Sequence, residues 1–332
     1  MTTPMKKSLS SPRRLSSSPN PSLGSGQRRA LRSVLACALV ATLLMGLTAC
    51  GSSNNNSSNS GASSAASTKK PAWASNLVAG DGETITVGSD TTFPPFESVG
   101  TDGVTIQGFD VDIMNAMAAT MGLKVKYKTY DWDGIIPGLA AGNDFDMICS
   151  ALTITPARAK AIDFSMPYLM DSYGMAVPSS NSTLTSWKQL KAGDVVGVQL
   201  GSSGAQWCQA NLPAGIKYFQ NKDTSVLFQA MQSGEVKCII QDYSTTANFC
   251  ASPARKAKMA QRISGTDSYL GMGFQKSDKG AAMRDDFNKA LKAIVSNGSY
   301  ATIYKKYFGG APDFIPGTMT LDEAVAKSQN QS

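Results

Sequence analysis

Two separate runs of alternating strand-like and helix-like segments constrain this chain more than anything else in it. In the first, residues 84–88 (TITVG) are β-branched and alternating, and 108–121 place apolar side chains at helical spacing up to Gly122. Residues 123–130 (LKVKYKTY) then alternate again. A turn at Asp131-Trp132-Asp133-Gly134, a helix over 135–141 and an apolar run from Met147 complete it. The second run pairs a strand at 195–200 with a helix from 205, a strand at 217–220 with a helix over 223–232, and ends in a strand at 237–241. Strand, helix, strand in short order predicts mostly parallel sheets covered by helices, so the chain reads as α/β in two units. Residues 285–308 carry two amphipathic helical patterns broken at Asn297-Gly298, too little for a third domain, and are expected to pack back on the first unit.

The stretch 147–164 (MICSALTITPARAKAIDF) holds the strongest chemical signal. An apolar strand ends at a Thr-x-Thr step, and Pro156 opens a helical segment carrying Arg158. A hydroxyl (Thr153) and a guanidinium therefore stand at the mouth of a strand-to-helix turn, where α/β folds keep their ligands. A guanidinium there grips a small carboxylate with two charge-assisted hydrogen bonds of roughly 1.5–3 kcal/mol each. The competing reading is an Arg in a surface ion pair on a first helical turn. Pro94-Pro95 makes the end of the first strand, 89–96 (SDTTFPPF), a rigid loop.

Charge separates the folded part from what precedes it. The chain has 31 Lys and Arg against 24 Asp and Glu, but seven of the basic residues fall within 1–49, which hold no acid. Taking 7 from 31 leaves 24 against 24 from Cys50 onward, so nucleic acid is not an expected partner. Residues 36–47 (ACALVATLLMGL) are too short to span a bilayer comfortably and read as the apolar part of a signal peptide over 1–49. Leu47-Thr48-Ala49-Cys50 resembles the bacterial lipobox, which makes Cys50 the lipid attachment point and 50–80 a Ser/Asn/Gly-rich tether to the membrane. The chain has no histidine, which removes Ser-His-Asp and Cys-His catalysis; with no Cys-x-x-Cys pair, neither a metal nor a cofactor is expected.

Several segments resemble one family, the extracytoplasmic solute-binding proteins of polar amino acid ABC importers. They are SDTTFPPFE (89–97), GFDVDI (108–113), DWDGIIPGLAAG (131–142), ITPARAKAIDFSMPY (154–168), GSSG (201–204) and NGSYATIYKKYFG (297–309), in family order. The resemblance implies a two-lobed, periplasmic-binding-protein-like fold of type II: two parallel-dominated sheets with flanking helices, joined by a two-crossing hinge. Lobe 1 is then 83–170 plus 268–316, lobe 2 is 172–267, and 317–332 is a C-terminal tail. Carried over by position, the resemblance implies that Arg158 is the carboxylate clamp, Thr153 a hydroxyl partner of the ligand head group, and Ser202 and Ser203 backbone donors at a helix start. Asp242 takes the α-ammonium, and Phe93 and Trp132 flank the ligand side chain. Asp90, Gln199 and Gln241 lie around the ligand's far end, and Ala151 stands where relatives often have Gly or Ser.

From the residues alone, Asp242 also suits a helix cap, Phe93 and Trp132 suit core packing, and Asp110 and Asp112 could suggest a metal pair; the resemblance implies that this segment starts a lobe 1 helix, so capping is expected instead. An acid beside two aromatic rings suits a cationic side chain, so arginine, lysine or glutamine is the expected ligand. The partners implied are an ABC permease with its cytosolic ATPase. The same pocket would equally serve a ligand sensor, and the same scaffold a dehydratase-type enzyme. Of the cysteines beyond the tether, Cys208, Cys238 and Cys250 fall in lobe 2, where at most one disulfide can form, and Cys149 is expected as a buried thiol.

Overall fold

The computed structural model of the chain describes residues 70–142 and 144–329. The signal segment, Cys50 and most of the tether lie outside the described residues. The chain builds β1 (Thr84–Ser89), β2 (Thr92–Phe93), β3 (Glu97–Val99), β4 (Ile106–Gln107), α1 (Phe109–Met121), β5 (Lys124–Thr129), α2 (Trp132–Ala141), β6 (Met147–Ile148), α3 (Pro156–Ala161) and β7 (Asp163–Phe164). It then runs through β8 (Leu169–Pro178), β9 (Val195–Gln199), α4 (Ser203–Asn211), β10 (Lys217–Asn221), α5 (Thr224–Ser233), β11 (Cys238–Asp242), α6 (Tyr243–Cys250) and β12 (Ala257–Leu270). The last elements are β13 (Gly273–Phe274), α7 (Asp278–Ser296), α8 (Ser299–Phe308) and α9 (Leu321–Gln329).

These elements form two lobes. One sheet has the order β5-β1-β6-β13-β7 and the other β10-β9-β11-β8-β12. Each is parallel in its strand-helix-strand half (β5-β1-β6 and β10-β9-β11) and antiparallel in the other half. The reason is connectivity: β13 enters the first sheet on the way back from the second lobe, and β8 and β12 link the lobes, so they run against their neighbours. β8 and β12 pair from Leu169↔Leu270 to Pro178↔Ala257, with a register shift between Ile263 and Ser268.

The first sheet is covered on one face by α1, α7 and α8, whose Phe109, Met114, Met117, Phe287, Leu291 and Tyr300 are buried against Val87 and Met147. On its other face Ile135, Leu139, Ile162 and Phe164 pack with Ala324 of α9. The stretch expected as a C-terminal tail therefore carries a helix, held by an apolar stripe that the sheet and α3 bury. In the second lobe, Val196, Val198 and Ile240 pack under Trp207 of α4, and Ile239 packs against Leu227, Phe228 and Met231 of α5. No helix among the described residues is long and apolar enough to cross a membrane. Cys149, Cys208, Cys238 and Cys250 are all free thiols.

Gly108 fixes how the first loop meets α1. Its φ is 146°, and a Cβ there would lie 2.0 Å from the Phe96 carbonyl oxygen. That closeness lets the amides of Phe109 and Asp110 bond to the carbonyls of Pro95 and Phe96, at 2.9 and 3.0 Å. Gly108→Ala meets both an unfavourable φ and backbone atoms that cannot yield, so it should cost about 4 kcal/mol or more, read as a lower midpoint in urea unfolding.

Candidate ligand-binding site

The cleft between the lobes is built from strand ends and helix starts. A cavity there is lined by Phe93, Trp132, Ala151 and Thr153 from the first lobe and by Gln199, Ser202, Ser203, Gln241 and Asp242 from the second. Except for the half-buried Ser202, all of these are buried, as are Asp90 and Arg158 beside them. The structure thus gathers the sequence-picked residues at one place, although 152 positions separate Asp90 from Asp242 in the chain.

Arg158 sits in the first turn of α3. That turn starts because Pro156 has the helical φ fixed in advance and the Thr155 hydroxyl accepts the Arg158 amide at 3.2 Å. The guanidinium donates to the Thr153 carbonyl at 2.9 Å and, across the cleft, to the Gly201 carbonyl at 3.3 Å. Its carbon stands 5.2 Å from the Trp132 ring centre, so Trp132 steadies the guanidinium as well as lining the cavity. The helix carrying Trp132 starts at that residue, three positions earlier than the sequence pattern suggests, and this turns the indole inward. Phe93 stacks on Phe96 at 5.9 Å, which fixes its ring at the cavity wall.

Asp242 ends β11 at the start of α6, yet its side chain makes no capping bond, so the capping reading is not what the structure adopts. Asp171 takes that role instead: its carboxylate accepts the amides of Ser244 at 3.2 Å and Ser172 at 2.8 Å. Burial drives Asp242 well above the usual carboxylate range. The Asp171 charge adds to the rise, and Arg158 opposes it. Burial likewise lowers Arg158 from its ordinary value, against the pull of Tyr173 and Asp242. Among the described residues neither Arg158 nor Asp242 has an oppositely charged partner within ion-pair distance. Next to Asp242, both polar atoms of the Gln241 amide are buried and unbonded.

The two lobes touch through polar pairs. Ser203 Oγ bonds to Thr153 Oγ1 at 3.1 Å, and Gln199 Nε2 donates to Asp90 Oδ2 at 2.8 Å. Thr224 Oγ1 donates to the Thr92 carbonyl at 2.6 Å, and Lys222 pairs with Asp131 at the rim. Asp90 also accepts from Thr92, and burial raises it to about 6 in spite of these bonds. Ser202 differs from expectation. Its amide donates to the Gln199 carbonyl at 3.2 Å and its hydroxyl caps α4 through Ala205 at 3.0 Å, so it shapes the turn. Asp110 also departs from the capping reading. Its side chain turns inward to the Ala151 amide and the Tyr168 hydroxyl, while Asp112 pairs with Lys306 and Tyr307 of α8. The packing of α1 against the first sheet and α8 sets both directions. The supporting residues Glu97, Ser150, Tyr168 and Asp171 were not singled out in the sequence; Glu97 and Tyr168 lie inside the motif segments 89–97 and 154–168 and Ser150 inside 147–164, while Asp171 lies outside every one of them.

A hinged two-lobed α/β fold with unpaired opposite charges buried on facing walls defines a receptor that closes around a small solute. Residues 85–310 match the bacterial extracellular solute-binding proteins, family 3, and the chain belongs to that family. It is 31% identical over 239 residues to a probable histidine-binding protein of Neisseria gonorrhoeae, covering 71% of this chain and 87% of that one. It is also 31% identical over 245 residues to the lysine/arginine/ornithine-binding periplasmic protein of Escherichia coli, covering 71% and 91%. Among solved structures, an ancestral arginine-binding protein bound to glutamine superposes with a TM-score of 0.64 at 34% identity, covering 68% of this chain and 98% of that one.

Proposed function

We propose that this protein captures a free amino acid with a basic or amide side chain outside the cell and hands it to an ABC permease driven by a cytosolic ATPase. A lipid on Cys50 would keep it at the membrane. The observation that carries this is the pairing of Arg158 on one lobe with Asp242 on the other, both buried and both without an ion-pair partner among the described residues. A zwitterion supplies the two missing charges at once, and an unpaired buried charge costs several kcal/mol. Because the walls are buried, a ligand reaches them only when the lobes part, and its contacts to both walls then favour the closed form. Asp90 at the far end favours a cationic tip, as do the names of the relatives.

A thermal-shift screen of the twenty amino acids plus ornithine, citrulline and cystine tests this, since a ligand held only by the folded state raises the melting point. Arginine, lysine or glutamine should give the largest shift, and a flat screen would overturn the reading. The Asp90 carboxyl at about 6 then separates the two side-chain classes. If the tip is cationic, affinity should fall up to about tenfold per unit as pH drops below 6, because protonation removes the attracting charge; glutamine affinity should show no such fall. Calorimetric titrations between pH 4.5 and 7.5, a range set roughly around that value, make the measurement.

A further inference from the structure

Behind the cleft, two acids are buried together with no Lys or Arg beside them among the described residues. Glu97, on β3, and Asp110, on α1, are 0% and 1% exposed and lie within hydrogen-bonding reach of one another. Glu97 Oε1 accepts from Ser150 Oγ at 2.8 Å, and that oxygen accepts the Asp90 amide at 2.8 Å. Asp110 Oδ2 accepts the Ala151 amide and the Tyr168 hydroxyl, both at 2.7 Å. One oxygen of each carboxyl is left over: Glu97 Oε2 and Asp110 Oδ1 are both buried with no hydrogen-bond partner among the described residues. Two carboxylates cannot both ionise at such a site, and one proton between the spare oxygens satisfies both and removes one charge.

The groups facing the pair are Asp90 after β1, Tyr127 from β5, Cys149 after β6, Tyr168 before β8 and Tyr300 from α8, with no Lys or Arg among them. Burial, then the Asp110 charge, pushes Glu97 well above its ordinary value. Asp110 accepts two hydrogen bonds and Glu97 one, so the negative charge is better held on Asp110 and the proton on Glu97. What the pair holds is strained. Ala151 has φ 43°, in the left-handed region that a side chain with a Cβ disfavours, and its turn delivers Thr153 to the clamp.

We propose that Glu97 and Asp110 share one proton and serve as positioning residues, locking the strained Ala151 turn on one side and the Asp90 amide on the other so that the first-lobe wall of the ligand site is preformed. This rests on the binding reading above, so the test has one arm that needs no ligand.

In that arm the full chain and Glu97→Gln are unfolded in urea at several pH values from about 5 to 8, above the ordinary Glu value. A proton held only in the folded state makes stability fall as pH rises through this window, so the unfolding constant of the unaltered chain should grow up to about tenfold per pH unit more steeply than that of Glu97→Gln. Parallel slopes would overturn the shared proton. In the second arm, L-arginine is titrated into Asp110→Asn, which keeps a carbonyl acceptor for Ala151 and Tyr168, and into Asp110→Ala, which does not. Asp110→Asn should stay within about threefold of the unaltered chain, and Asp110→Ala should bind at least about tenfold more weakly, the cost of one unsatisfied buried donor. Equal affinities in the two variants would overturn the positioning role. Failure of L-arginine to bind even the unaltered chain would count against the ligand reading and leave the slope comparison decisive for the pair.

Discussion

Arg158→Ala should lower affinity for the cognate amino acid by about 100-fold to 10,000-fold, because it removes two charge-assisted hydrogen bonds of roughly 1.5–3 kcal/mol each. Arg158→Lys should recover little of this, since an ammonium cannot present two parallel donors to a carboxylate or lie flat against Trp132. The fold should survive both changes. Among the described residues the Arg158 guanidinium hydrogen-bonds only to the backbone carbonyls of Thr153 and Gly201, and α3 is nucleated by Pro156 and the Thr155 cap rather than by the guanidinium. Titration calorimetry with a parallel far-ultraviolet dichroism spectrum checks both halves. Undiminished affinity in a folded Arg158→Ala would remove the clamp from the site.

Asp242→Asn should move binding and stability in opposite directions. Affinity should drop about 100-fold or more, since taking away one member of a buried charge pair costs about 3–5 kcal/mol. The ligand-free protein should nevertheless melt higher than the unaltered chain near neutral pH. The sign follows from linkage. Burial and Asp171 hold the Asp242 carboxyl well above its unfolded value, so its contribution to stability is complete below the ordinary carboxylate range and is lost as pH rises toward the folded value. An amide cannot ionise and escapes that loss. The gap in melting temperature should therefore open between acid and neutral pH and vanish at low pH, as scanning calorimetry at several pH values would register.

Both effects involve residues that stood out in the sequence, and the reason is local. Arg158 follows a Thr-x-Thr step and a helix-opening Pro, and Asp242 ends an apolar strand, so neighbours within a few positions announce their place at strand and helix ends. The two-run alternation likewise announced the sheets, because apolar periodicity is a property of the segment itself. The antiparallel half of each sheet was not legible in this way, since strand direction follows from which lobe the chain is returning from.

Residue by residue, the sequence by itself determined the α/β alternation, the charge-neutral folded part and the place of Arg158 at the mouth of a strand-to-helix turn, all of which rest on short-range spacing and side-chain chemistry. Only the tertiary structure decided what each polar side chain is bonded to. It turned Asp110 inward from the helix start, gave the capping role at α6 to Asp171 and left Asp242 unbonded to that helix. It also set Trp132 against Arg158, and bound Ser202 into its own turn. Hydrogen-bond partners are chosen by groups far apart in the chain that packing brings within about 3 Å, and no pattern along the sequence encodes that choice.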